Sequence, residues 1–136
     1  LVLLLACFAS PAPMTKRTVQ CGSHTYTLRI PAGTAMVNVG RYEEGHGFDI
    51  IYPDSSTIFF ASSTGHGSPT ADYYEACARC FTTYDTLVSG VQPNGRLWKE
   101  YVVGNTSLGY HDVPRARQRL YDQALTRFRP KIRSIH

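Results

Sequence analysis

The side chains able to do chemistry in this chain are mainly thiols and imidazoles. Cys77-Ala78-Arg79-Cys80 has the two-residue spacing of a dithiol redox motif, and equally of half a zinc site. Redox pairs open a helix directly after a strand, where the helix terminus lowers the thiolate pKa. Here Asp72–Ala76 reads as helical before the pair and Phe81–Tyr84 as extended after it, an order that suits a structural pair. Cys21-Gly22-Ser23-His24 would complete a Cys₃His set, Cys21, His24, Cys77 and Cys80, which zinc accepts as a tetrahedron. The expectation is instead a structural disulfide, most simply Cys21 with Cys77 or Cys80, because a small domain with a limited core gains from a cross-link.

His46, His66 and His111, with Asp49 and Asp112 as orienting carboxylates, would do acid–base work only if one cleft gathered them. His66 lies between Gly65 and Gly67 and reads as loop-borne, and His111 reads as a boundary residue before a helix, so dispersed surface histidines are expected. The sequence holds no Gly-x-Ser-x-Gly elbow, no phosphate-cradling glycine motif and no His-Glu-x-x-His pair. No catalytic residue, cofactor or resident metal is therefore expected. The Cys₃His zinc set and dithiol chemistry at Cys77 and Cys80 stand as alternatives.

Leu1-Val2-Leu3-Leu4-Leu5-Ala6 is an apolar run that stops at Cys7. Residues 1–9 fall short of the about 20 needed to span a bilayer but match a signal core of roughly 7 to 15. Leu-Leu-Ala before a cysteine resembles the bacterial lipobox, in which the cysteine becomes the lipidated first residue of the mature protein. The expected organisation is an export-signal remnant over 1–9 with its lipobox ending at Cys7, a flexible tether over 10–20 that starts with Ser10-Pro11-Ala12-Pro13, and one globular domain over 21–136. The address this implies is the bacterial cell envelope, membrane-anchored by acyl chains such as palmitate, periplasmic or outer-membrane associated.

The net charge of +4 is unevenly spread. The body is near neutral, whereas Arg115, Arg117, Arg119, Arg127, Arg129, Lys131 and Arg133 face only Asp122 after residue 112. Such a tail reads as a solvated helix face that could also meet anionic lipid or an acidic envelope protein; nucleic acid is not an expected partner of an exported chain.

These groups need a scaffold, and the pattern predicts one. Tyr26, Leu28 and Ile30 alternate along a strand, and a short segment follows over Ala35–Val39. Gly47–Tyr52 and Thr57–Ala61 flank Pro53-Asp54-Ser55-Ser56 as a hairpin, and Gln92-Pro93-Asn94-Gly95 is a second strong turn. Leu97–Val103 and Thr106–Tyr110 form another hairpin about Gly104-Asn105, with a further strand over Phe81–Val88 and a short helix over Ala71–Ala78. A closing helix takes Asp112 as N-cap, tolerates Pro114 in its first turn, ends at Pro130, and carries an apolar stripe of Leu120, Tyr121, Ala124, Leu125 and Phe128. Of the aromatic residues, Phe59, Phe60, Tyr73, Tyr74, Tyr84, Trp98 and Tyr101 are expected to line the core. The fold class is α+β: an antiparallel β-sheet of about five to six strands with a C-terminal helix packed on one face.

Leu4-Leu5-Ala6-Cys7, Tyr52-Pro53-Asp54-Ser55-Ser56, Gly95-Arg96-Leu97-Trp98-Lys99-Glu100, Gly109-Tyr110 and the closing helix together resemble the small uncharacterised lipoproteins of Bacteroidetes. A fainter likeness of layout, strands followed by a helix near the carboxyl end, links the chain to the PsbP and Mog1-like domains, and no ligand is carried over from it. The resemblance implies a cell-envelope lipoprotein whose domain binds or scaffolds another component. The alternative is an exported enzyme or a thiol redox protein using Cys77 and Cys80.

Overall fold

The computed structural model describes residues 13–42, 45–63, 86–103 and 106–127. Among the described residues eight strands precede one helix: β1 (Met14–Cys21), β2 (His24–Pro31), β3 (Met36–Tyr42), β4 (Gly45–Ile51), β5 (Thr57–Ser63), β6 (Thr86–Val91), β7 (Leu97–Val103) and β8 (Thr106–Val113) lead through a 3₁₀ turn (Arg115–Arg117) into α1 (Gln118–Arg127). The last six strands form one antiparallel sheet in the order β3-β4-β5-β8-β7-β6. β1 and β2 pair separately as a hairpin, and α1 packs on β2 and β8. The α+β class and the C-terminal helix on the sheet match the sequence pattern.

Alternation decides which side of the sheet is covered. Phe48, Ile50, Ile58, Phe60, Leu108 and Tyr110 point to one face, where Val19, Cys21, Leu28 and Ile30 of the hairpin and Tyr121 and Ala124 of α1 meet them in the core. Leu120 and Leu125 lie partly buried against that cluster, so four positions of the predicted apolar stripe are docked. Phe128, Pro130, the expected helix over 71–78 and the start of the strand expected over 81–88 lie outside the described residues; that strand's observed part is β6. Phe59, Trp98 and Phe60 are buried as expected, but Phe59 and Trp98 are not part of the inner cluster.

Two expectations change. Residues 14–20, assigned to the flexible tether, belong to β1, whose partners run from Met14 with Pro31 to Cys21 with His24. Most of its side chains are exposed: Val19 and Cys21 are buried in the core and Met14 packs partly against it, which is why its composition reads as linker. Asp112 is not an N-cap. It stays in β8 with a φ of 55°, and Pro114 occupies the cap position of the 3₁₀ turn, with no side-chain cap.

The two ladder turns are built alike. Tyr52-Pro53-Asp54-Ser55-Ser56 closes with Ser55 N–H donating to Tyr52 O at 2.9 Å and Tyr52 N–H to Ser56 O at 2.9 Å. Gln92-Pro93-Asn94-Gly95-Arg96 repeats both bonds at 2.9 and 2.7 Å. The side chains of Asp54 and Asn94 each accept the N–H two residues on, from Ser56 and Arg96, at 3.0 Å. The fourth position is left-handed in both turns, with φ of 72° at Ser55 and 81° at Gly95, as a three-residue loop with a bulge requires.

Three tyrosines join hairpin, sheet and helix. Tyr121 meets Tyr52 edge-on at 5.7 Å between centroids and Tyr110 at 5.8 Å. Tyr52 Oη donates to Pro31 O at 2.7 Å, and Tyr110 Oη donates to Asp122 Oδ1 at 2.9 Å. Arg117 lies over the Tyr52 and Tyr121 rings at 5.5 and 5.3 Å while pairing with Asp54 at 2.9 Å.

Two stability outcomes follow from these contacts. Gly95→Ala, with open space at its Cβ position, meets only the left-handed backbone penalty and should lower the unfolding free energy by about 1–2 kcal/mol, while Ser55→Gly should leave it unchanged or raised in urea melts. Tyr52→Phe strands the buried Pro31 carbonyl and should cost about 1–3 kcal/mol by the same measurement.

Candidate functional site

Parity along β4 separates two residues that the sequence allowed to act together. His46 and Asp49 are three apart in one strand and therefore project to opposite faces. His46 belongs to the covered face, at the end where the β1–β2 hairpin turns. Its ring stacks on His24 with centroids 4.5 Å apart and planes 10° apart, and its Nε2 meets the hydroxyl of Tyr26. Burial, followed by the neighbouring Cys21, pushes the Tyr26 phenol up, which keeps its proton in place.

Cys21 and His24 are ladder partners, so half of the zinc set is adjacent in space. Cys21 is buried with Sγ 3.8 Å from the Gly47 carbonyl. A ring nitrogen binds a metal in the plane of its ring, and near-parallel stacked imidazoles cannot both hold one ion that way. Among the described residues no three His, Cys, Asp or Glu side chains assemble as metal ligands. Cys7, His66, Cys77 and Cys80 lie outside the described residues, and with them the lipidation site, the dithiol and the partners of any Cys21 disulfide.

His111 is placed differently. Its Nδ1 lies 3.1 Å from Asp112 Oδ2, and the second oxygen of Asp112 accepts from Gln92 Nε2 at 3.0 Å and Asn94 Nδ2 at 3.2 Å. The Asp112 N–H donates to Gln92 Oε1 at 2.6 Å, and Arg96 Nη1 bonds the Asp112 carbonyl at 2.8 Å and that of Asp54 at 2.6 Å. These bonds hold Asp112 in its left-handed conformation and tie both proline turns to the end of β8. Burial pushes the Asp112 carboxyl up, but hydrogen bonds from His111, Asn94 and Gln92 outweigh it and hold the group below its ordinary value.

The carboxylate fixes Nδ1 of His111 as the nitrogen that carries a proton toward Asp112, which orients the ring. The ring leans on Phe59 at 6.0 Å. Asp49 shares this second, outer face through its ladder to Phe59, and it has no hydrogen bond or ion pair among the described residues. Burial raises its pKa, and the Coulombic pull of His111 lowers it only partly. His46 and His111 therefore lie on opposite faces and share no cleft; His46 stacks on His24, and His111 is held by a carboxylate. Tyr26, Gln92, Asn94 and Arg96 were not singled out for chemistry; the proline–Asn turn preceding Arg96 was the available signal for the last three.

The arrangement places the His111 ring, on β8, and the Asp49 carboxyl, on β4, on one face of the sheet with β5 between them, and among the described residues Asp49 has no donor. It carries no activated nucleophile: Thr57, opposite His111, donates its hydroxyl to Ser55 O at 3.0 Å. Such geometry suits contact with a ligand that brings hydrogen-bond donors. No family model, curated protein or solved structure matches the chain.

The two carboxyls should respond oppositely to substitution. The folded pKa of Asp112 is depressed, so its stabilisation is present above the ordinary value of 3.8 and lost as pH falls through the lower folded value. The Asp49 value is raised, so its penalty builds as pH rises from 3.8 through the folded value and is complete above it. Asp49→Asn should therefore raise the unfolding midpoint at pH 7 and converge with the parent near pH 3. Asp112→Asn should lower the pH 7 stability by about 1–3 kcal/mol. Denaturant melts across pH 3 to 8 check both signs.

Proposed function

We propose that this chain is a bacterial cell-envelope lipoprotein, anchored through Cys7, whose α+β domain binds or scaffolds another envelope component. The observation that carries the reading is the apolar run ending in Leu4-Leu5-Ala6-Cys7 ahead of a proline-containing segment. Binding is favoured over catalysis because Asp54, Asp112, Arg96 and Arg117 are engaged in bracing the turns, while Asp49 and His111 form a shallow donor-seeking patch beside exposed Met36 and Asn38. A half-buried carboxyl without a donor is paid for in stability, and a partner that supplies the donor recovers the cost. The seven basic residues after position 112 add attraction for anionic lipid or an acidic partner.

Intact-mass and peptide analysis of the protein from its native membrane should place a diacylglyceryl group on Cys7. Cys7→Ala should release the chain from the membrane fraction. An unmodified Cys7 in a mature, membrane-free chain would refute the anchoring. Cross-linking in solubilised envelope should then capture a partner whose yield falls for Met36→Lys and Asp49→Asn while Gln20→Ala, on the exposed side of the β1–β2 hairpin, leaves it unchanged.

A further inference from the structure

β6 ends the sheet, and no strand lies beyond it among the described residues. Its ladder to β7 runs unbroken from Thr86 with Val102 to Val91 with Leu97. The opposite edge, β3, carries Arg41 and is backed by β1. β6 reads Thr-Leu-Val-Ser-Gly-Val, with no charge, proline or bulge to discourage another strand. Leu87 is 62% exposed and Val91 52% exposed, both on the side of the sheet that carries α1. The Trp98 indole lies against Gly90, where a Cβ would fall 2.8 Å from Nε1, and this close contact holds the edge onto β7.

We propose that β6 pairs with β6 of a second copy of this chain, antiparallel about Ser89, making one continuous twelve-stranded sheet. Residues opposed across a ladder share a face, so a twofold perpendicular to the sheet must centre on a residue and not between two. A centre at Val88 or Gly90 sets Leu87 or Val91 against Ser89. A centre at Ser89 sets Leu87 against Val91 of the second copy and Val91 against its Leu87, with the two serines facing and Val88 opposite Gly90. The strand is self-complementary in that register alone: apolar meets apolar, hydroxyl meets hydroxyl, and no charge opposes another. This pattern favours a second copy over an unrelated strand. The paired edge is short, so association is weak and shows at high concentration.

Sedimentation of the purified chain from about 10 µM to about 1 mM should show reversible dimerisation. Leu87→Lys combined with Val91→Lys should weaken it at least about tenfold, and an unchanged melting curve will show that these exposed positions leave the fold intact. Directly opposed residues have Cα atoms about 4.5–5.5 Å apart, within disulfide range. Ser89→Cys should therefore cross-link to itself under mild oxidation, with the 89–89 linkage assigned by peptide mass, much faster than Val91→Cys, whose position faces 87. A chain monomeric throughout leaves the edge to some other strand or to none and overturns the proposal. So does a dimer that survives the double lysine variant, or equal cross-linking at 89 and 91.

Discussion

The burial of Tyr121 between Tyr52 and Tyr110 is the contact on which the architecture turns. Without it α1 would touch the sheet only through small and partly exposed side chains, since Ala124 is the other fully buried residue of the helix. Each ring adds large apolar area at the cost of two torsions, and the edge-on geometry sets the positive rim of one ring against the negative face of the next. The hydroxyls extend the reach. Tyr52 bonds the end of the separate hairpin, and Tyr110 shares Asp122 with Lys99, so hairpin, sheet and helix are registered at one point. Burial and then the Asp122 carboxylate push the Tyr110 phenol up, which keeps it a donor. Arg117 closes the cluster because a planar guanidinium can lie over two rings and pair with Asp54 at once, which a lysine ammonium cannot do.

The same end of the sheet shows how polar groups substitute for a second apolar layer. Two turns from distant parts of the chain are stitched to the end of β8 by Arg96 and by the amides of Gln92 and Asn94, so a left-handed Asp112 is over-determined by its neighbours. Strain of that kind persists only where several bonds agree. The effect on His111 is orientation: its ring is aimed by a carboxylate that cannot swing away. Asp49, on the same face, has no hydrogen bond or ion pair among the described residues, and burial raises its pKa.

Hairpins β4–β5 and β7–β8, the two proline turns and the stripe of α1 were legible because alternation, turn chemistry and helical spacing are local properties. β1 was not, since Val19 and Cys21 alone of its eight residues are buried, Met14 packs partly against the core, and the other five are exposed and resemble linker. Asp112 misled for a related reason: an aspartate two residues before a proline fits a helix cap, and only the distant Gln92 shows that the strand continues. The separation of His46 from Asp49 was available in the parity of a strand, whereas the meeting of His46 with His24 depends on how the hairpin docks. Strand order is set by packing between elements far apart in sequence and leaves no local trace.

The β5–β8 ladder is the one seam that unites the two halves of the sheet, β3-β4-β5 and β8-β7-β6. Each half is a meander whose strands meet near neighbours, with the β5–β8 partners roughly fifty residues apart. Closing that seam needs a large loss of chain freedom before any of its bonds form. Until then both meanders present open edges, Thr57–Ser62 and Thr106–His111, rich in the side chains that later fill the middle of the core. By contact order the joining of the two half-sheets is the expected slow step of folding, and the interval before it is when open edges are available to the wrong strand.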